Sequence, residues 1–216
     1  MNGRTRGTAE EGRGAVEEKN ILIRARRGDL PAFEELVRRY ERRVYAIALR
    51  SSGSPEDAAD IVQEVFLRAW RSIESFRGDS GFSTWLFRIT VNQCIDHARR
   101  QRSQPVTQPL TIGEDEGERP LPDPAPTPEE RLDTRELGRA LADALAQISE
   151  EHRRIVLLRD VSGLSYTEIA EALEISEGTV KSRLSRARLA LREILLARGN
   201  FLPSTSSNDN EGGGDA

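Results

Sequence analysis

Cysteine is almost absent from this 216-residue chain. The single thiol, Cys94, excludes an internal disulfide and a multi-cysteine zinc site. Its place on an apolar helical stripe marks it as a small buried group. Only two histidines, His97 and His152, are present, and neither neighbours a nucleophile or a spaced set of metal ligands. No Gly-rich phosphate loop of the Walker or dinucleotide type occurs. These absences speak against catalysis, and no metal or other cofactor is implied. No apolar run approaches the roughly 18 residues that cross a bilayer, and no signal-peptide pattern opens the chain. The expectation is a cytoplasmic protein with no membrane insertion and no small-molecule substrate. Nothing reads as a β-strand, so the fold is expected to be all-α.

What is present is charge, unevenly placed. The formal net charge is −4, which looks wrong for a nucleic-acid binder. Along the chain, however, residues 20–102 carry 15 Lys/Arg against 11 Asp/Glu, and residues 135–198 carry 11 against 10. Residues 103–134 hold 2 basic and 8 acidic side chains. The acidity therefore sits in a connector and a tail, and local clustering outweighs the global balance.

Helical periodicity begins near Val16 and stops at Gly28-Asp29. It resumes through Phe33, Leu36, Val37, Tyr40, Val44 and Ile47, then breaks at Gly53. Ser54-Pro55-Glu56-Asp57 has the make-up of a helix start, with a capping hydroxyl, proline in the first turn and acids at the positive dipole end. That helix should reach about Ile73, and another should run from Ser83 to Arg102. Residues 103–134 contain seven of the ten prolines and read as a flexible acidic linker. Helices resume over 135–148 and from Ser149. Two small helical domains, 16–102 and 135–198, are thus expected, with disordered tails at 1–15 and 199–216.

The stretch SYTEIAEALEISEGTVKSRLSRARLALR (165–192) has the pattern of a helix-turn-helix. Ser165 and Glu168 form a capping-box pair, and Ser176 caps a second helix. Val180, Leu184, Ala187 and Leu191 repeat on that helix at core spacing. Ser182, Ser185, Arg186 and Leu189 fall on the opposite face, with Lys181 at its edge. Short hydroxyls and long cations suit base edges and phosphates, although look-alikes with merely solvated charges are common. Upstream, Asp57, Asp60, Gln63, Glu64, Leu67 and Arg71 share one face opposite Val62, Val65, Phe66, Ala69 and Ile73. An apolar Leu67 among acids and amides suits a protein-binding surface as well as a solvated one. On the next helix Phe87, Val91, Cys94 and Ala98 are core-like, while Trp85, Arg88, Asn92, Asp96 and Arg99 line the other side. An exposed tryptophan, an amide and arginines in one row, beside a loop with Phe76, Arg77 and Phe82, match the needs of single-stranded DNA recognition. A simple turn with a packed Trp85 is the plainer alternative.

Two segments read together are more specific. DAADIVQEVFLRAWRSIESFRGDSGFSTWLFRITVNQCIDHARR (57–100) resembles region two of bacterial extracytoplasmic-function sigma factors. GLSYTEIAEALEISEGTVKSRLSRAR (163–188) resembles region four of the same family, and the two stand in the right order. The resemblance implies a promoter-specificity subunit of RNA polymerase without catalysis of its own. By that likeness, Asp57, Asp60, Gln63, Glu64 and Leu67 would meet the clamp coiled coil of the largest core subunit. Phe76, Arg77, Phe82, Trp85, Arg88 and Asn92 would take the opened minus-ten element. Lys181, Ser182, Ser185 and Arg186 would enter the major groove at the minus-thirty-five element. The likeness also implies contact with the polymerase flap and a cognate anti-sigma factor as partner. Two departures stand out: Glu174 occupies the turn where a glycine often sits, and Asp96 would repel phosphate on the Asn92 face. A stand-alone helix-turn-helix regulator of duplex operators, or an interaction module, are the competing readings. Neither accounts for both segments.

Overall fold

Each helix starts where the chain supplies a cap. The structure, a computed structural model, describes residues 5–103 and 128–198, with side chains over 16–102 and 136–198. The linker interior 104–127 and the tail 199–216 lie outside the described residues. All eight α-helices named below come from the described residues. α1 (Thr5–Arg26) precedes α2 (Leu30–Ser52), where Asp29 Oδ1 accepts the Ala32 N–H at 3.1 Å. α3 (Pro55–Ser72) starts at Ser54, whose Oγ accepts the Asp57 N–H at 3.3 Å. A 3₁₀ turn, Ile73–Ser75, and a loop lead into α4 (Phe82–Ser103).

α5 (Pro128–Gln147) and α6 (Glu150–Val156) follow, and α6 continues into a π turn, Leu157–Val161. The Ser162 N–H reaches the Leu157 carbonyl at 2.9 Å, the wider i to i−5 spacing of such a turn. α7 (Tyr166–Leu173) and α8 (Glu177–Ala197) complete the second body. The capping box expected at Ser165 and Glu168 forms in both directions, and Ser176 Oγ accepts the Thr179 N–H at 3.1 Å.

The fold is all-α, as expected, but two boundaries differ. α1 starts at Thr5, inside the segment read as a disordered tail. Its C-terminal half docks Ile21 and Ala25 into the core, and a docked helix propagates outward at little further cost. α5 starts at Pro128, inside the segment read as linker. Pro128-Glu129-Glu130 is the same start signal as Pro55-Glu56-Asp57, hidden among the other prolines.

α4 is buried on nearly every side. Thr84, Trp85, Leu86, Phe87, Thr90, Val91, Gln93, Cys94 and Ile95 are all buried. Three packing partners cause this: α2, α3 and the second body. Burial pushes the Cys94 thiol up to about 12, so it stays protonated and inert. A single hydrophobic cluster runs from Ile21 to Leu191 through both bodies.

The bodies meet through polar contacts as well. Arg43 Nη2 donates to the Ser162 carbonyl at 3.0 Å, and Thr84 Oγ1 donates to Glu168 Oε1 at 3.2 Å. Arg99 grips Glu150 with two nitrogens, Nε reaching Oε1 at 2.6 Å, and Arg102 donates to the Ala146 carbonyl. At the C-cap of α2, Gly53 has φ +72°, and a Cβ there would stand 2.8 Å from Ala142 Cβ on α5. Glycine is required both for the left-handed turn and for the close approach.

The helix-turn-helix turn carries a measurable cost. Glu174 has φ 55° and ψ 44°, the left-handed region, and ends α7 in a Schellman motif with Ile175 N–H on the Ala170 carbonyl at 3.0 Å. A side chain in that conformation costs roughly 1–2 kcal/mol. Glu174→Gly is therefore expected to raise unfolding stability by about 1 kcal/mol once the added freedom of the unfolded glycine is subtracted. Urea melts of the two proteins check this.

Candidate polymerase and nucleic-acid interfaces

Three faces carry the residues singled out from the sequence. On α3, Ala58, Ile61, Val65 and Ala69 are buried, which turns Asp60, Gln63, Glu64 and Leu67 outward. Leu67 is 51% exposed, an apolar group set among acids and an amide. Asp57 is half-buried and tied to α4: Gln101 Nε2 donates to Asp57 Oδ2 at 2.9 Å, and His97 Nε2 lies 3.2 Å from Oδ1. The α3 face therefore continues across a groove of about 430 Å³ to Gln93, His97 and Arg100 of α4. Those three were not singled out from the sequence. His97 and Gln101 are four residues apart on α4, and this spacing toward α3 was the available signal.

The second face differs from expectation. Trp85 is 9% exposed, so the exposed stacking tryptophan read from the helical wheel is not there. Phe76 and Phe82 are buried as well. The cause is an aromatic cluster. Trp85 lies 5.3 Å from Phe76 and 5.6 Å from Phe82 between ring centroids, and Tyr40 meets Phe82 edge-on at 5.4 Å. This cluster forms the floor beneath the loop that carries Arg77. Arg77 is exposed, whereas Arg88 and Asn92 are half-buried on α4. Tyr40 also donates its hydroxyl to Glu18 Oε2 at 2.9 Å, and burial raises its pKa.

The third face is α8. Val180, Leu184, Ala187 and Leu191 are buried, each large apolar side chain contributing roughly 1.5–3 kcal/mol. Lys181, Ser182, Ser185 and Arg186 are all exposed on the outer side, with Leu189 56% exposed beyond them. Lys181 Nζ stands 5.7 Å over the Tyr166 ring, which also holds Arg159 at 4.8 Å. Arg188 is also exposed and pairs with Asp160, Nε reaching Oδ2 at 3.1 Å. Ser182 Oγ donates to the Thr179 carbonyl at 3.1 Å.

Comparison with known proteins decides the family. The Sigma-70 region 2 model matches residues 36–104, and the Sigma-70 region 4 model matches residues 138–191. The chain belongs to the extracytoplasmic-function sigma factors. It is 38% identical over 176 residues to the sigma-E factor of Haemophilus influenzae, covering 80% of this chain and 92% of that protein. It is 36% identical over 178 residues to the sigma-E factor of Escherichia coli, covering 82% and 93%. The solved structure of CnrH in complex with the cytosolic domain of CnrY matches with TM-score 0.60 and 27% identity, over 83% of this chain and 97% of that one. Sigma factor RpoE in complex with the anti-sigma factor NepR from Bartonella quintana matches with TM-score 0.51 and 27% identity, over 76% and 96%. This sigma factor is thus an alternative specificity subunit that associates with RNA polymerase and binds promoter DNA to start transcription. The family consists of initiation factors rather than enzymes. Among the described residues no helix is long and apolar enough to cross a membrane.

Glu168 joins the helix-turn-helix cap to the first body. Its Oε2 accepts the Ser165 N–H at 2.8 Å and hydroxyl at 2.7 Å, while Oε1 accepts from Thr84. The Ser165 backbone N–H, foremost, holds its carboxyl below the usual 4.5. A lowered folded pKa gives stability that is present above the unfolded value and lost as pH falls through the folded one. Glu168→Gln is expected to lower stability at pH 7 by about 1 kcal/mol, the usual worth of a cap. The gap to wild type should close as pH falls below about 4.5. Thermal melts of both proteins between neutral and acidic pH measure it.

Proposed function

We propose that the two bodies divide the work of a sigma factor between three surfaces. Residues 16–102 form the domain for core polymerase and the minus-ten element, and residues 135–198 the domain for the minus-thirty-five element. The outer face of α3, with Asp57, Asp60, Gln63, Glu64 and Leu67, receives the clamp coiled coil of the largest core subunit. An acidic rim around one exposed leucine suits a basic partner helix with an apolar anchor. The second domain would also meet the polymerase flap.

The loop after Phe76 and the outer side of α4 take the opened minus-ten strand. Extruding a base costs a few kcal/mol, and a rigid frame is needed to offset it. Phe76, Phe82 and Trp85 serve here as that frame, their rings fixed against one another, while Arg77, Arg88 and Asn92 reach the strand. Asp96, beside Arg99 at 3.8 Å, repels phosphate and confines the strand to the Arg88 and Asn92 end. α8 enters the major groove at the minus-thirty-five element with Lys181, Ser182, Ser185 and Arg186. The observation that carries this reading is the exposure of all four on one side of a helix whose other side is core.

The matched structures of CnrH and RpoE were solved with CnrY and with the anti-sigma factor NepR. An anti-sigma partner is proposed for this chain on that ground. Action without catalysis, in the cytoplasm where polymerase and promoters meet, completes the reading.

Transcription reconstituted with purified core enzyme tests it. Asp60→Arg with Glu64→Arg is expected to abolish association with core polymerase while shifting stability by less than about 0.5 kcal/mol, because both side chains are exposed. Association at wild-type strength by these variants contradicts the assigned face. Arg186→Ala is expected to weaken promoter binding by roughly 1–3 kcal/mol, and Asn92→Ala to slow promoter opening more than closed-complex formation. Footprinting of closed and open complexes separates those two steps.

A further inference from the structure

The outer face of α8 carries one side chain that charge and hydrogen bonding do not account for. Leu189 is 56% exposed, although Val180, Leu184 and Leu191 of the same helix are buried. Around the helix axis Lys181 and Arg186 stand about 140° apart, and Leu189 falls between them, about 80° from the first and about 60° from the second. Ser182 and Ser185 share that sector, and all five side chains are exposed. Cations therefore flank a central strip made of two hydroxyls and one apolar group.

A helix laid in a major groove meets sugar and phosphate at its flanks and base edges at its centre. Ser182, Ser185 and Leu189 are spaced by three and four residues, which spans about 10.5 Å of helix axis, or about three base pairs at 3.4 Å each. This is close to the spacing by which one helix reads three successive bases. Leu189 thus stands over the outermost of those pairs, one turn beyond Ser185, where it offers neither donor nor acceptor. Of the four bases only thymine presents a methyl group in the groove, and apolar side chains contact it directly. Arg192 and Glu193, both exposed, separate Leu189 from Leu196, so no continuous apolar patch forms along the helix. Its surroundings also set it apart from Leu67 of α3, which stands among Asp60 and Glu64, acids that repel DNA.

We propose that Leu189 is a specificity-determining residue for the minus-thirty-five element, packing against the C5-methyl group of a thymine in the major groove. The proposal rests on the reading that α8 enters that groove, and it adds a thymine preference carried by an apolar contact. Discrimination has an attractive and a repulsive part. Thymine covers exposed apolar surface on Leu189 with its methyl group. Cytosine at the same place has no methyl and presents an amino donor that Leu189 leaves unpaired.

The test uses the full-length protein assembled with core polymerase, and a library of promoter duplexes randomised across the minus-thirty-five element. Duplexes retained by the wild type are expected to favour thymine at one position, and Leu189→Ala is expected to lose that preference there alone. Replacing that thymine by deoxyuridine removes the methyl group and nothing else. It is expected to weaken wild-type binding about fourfold, the worth of one buried methyl group, and to leave binding by Leu189→Ala unchanged. The uridine duplex tests the wild-type protein without any variant, and alanine at an exposed helical site keeps the fold. A selection unaltered by Leu189→Ala, or a uridine effect equal in both proteins, overturns the proposal. So does a loss of core association by Leu189→Ala with base preference intact, which assigns the side chain to a protein partner. Arg186→Ala in the same selection separates the proposal from the reading beneath it. If Arg186→Ala alters preference at another position while Leu189→Ala alters none, the groove reading stands and the methyl contact fails. If neither variant alters the selection, the groove reading fails with it.

Discussion

Burial of α4 between three neighbours is the constraint on which the rest of the molecule depends. Phe87, Leu86 and Ile95 are fully enclosed, and the same helix carries the polar groups that reach α3 and the second body. A helix packed against three neighbours cannot shift by a residue without moving apolar groups into polar contacts, so its register fixes the surrounding surfaces. Asp57 of α3 is held by Gln101, Glu168 of α7 by Thr84, and Glu150 of α6 by Arg99. The outer face of α3, the helix-turn-helix cap and the start of α6 are all set by one element.

Buried polar groups along α4 and α6 obey the same logic. Thr90 turns its hydroxyl to the Leu86 carbonyl at 2.9 Å, which satisfies it locally. Arg153 is 2% exposed and would be costly alone. It donates to the carbonyls of Leu145, Ala146 and Ile148, at 2.6, 2.8 and 3.4 Å, and so caps the C-terminus of α5 with a charge the dipole favours. Arg102 from the first body adds a second guanidinium to the Ala146 carbonyl. The end of α5 is thus a shared anchor between the bodies rather than a loose link.

Much of this was legible in local sequence, because caps and periodicities act over a few residues. Ser54, Ser149, Ser165 and Ser176 each start a helix with the side-chain bond their residue type predicts. Gly53 ends α2 and Glu174 takes the left-handed turn. The outward faces of α3 and α8 also emerged, since each has a single packing side. α4 was misread for the opposite reason. A wheel divides a helix into core and solvent, and Trp85 fell on the nominal solvent side, whereas Phe76 and Phe82, just before it in the chain, fold back over that side. A wheel of one helix carries no information about the loop that precedes it. The pairing of Arg99 with Glu150 and of Thr84 with Glu168 links residues 51 and 84 apart, beyond any periodicity. Pro128 was obscured by composition, since a start signal embedded in a proline-rich stretch loses contrast.

The docked arrangement also constrains how this sigma factor can meet DNA. Elements centred near positions ten and thirty-five lie about 25 base pairs apart, or roughly 85 Å along a duplex at 3.4 Å per pair. A compact chain of this length has a radius of gyration of only about 17 Å. On the proposed division of the two elements between the bodies, bodies joined at Arg99 and Glu150 cannot serve both at once. The 24 residues between Ser103 and Pro128 reach at most roughly 80 Å when fully extended, and the bodies themselves supply the remaining distance. Engagement of both elements in that way requires the polar contacts between α4 and the second body to be given up. In the docked form the outer side of α8 is already open, with Lys181 and Arg186 exposed, whereas Arg99 and Thr84 are occupied. Duplex contact at the upstream element is compatible with either arrangement. Only the side of α4 that carries Arg99 and Thr84 distinguishes them, since it is covered while the bodies are joined and uncovered when they part.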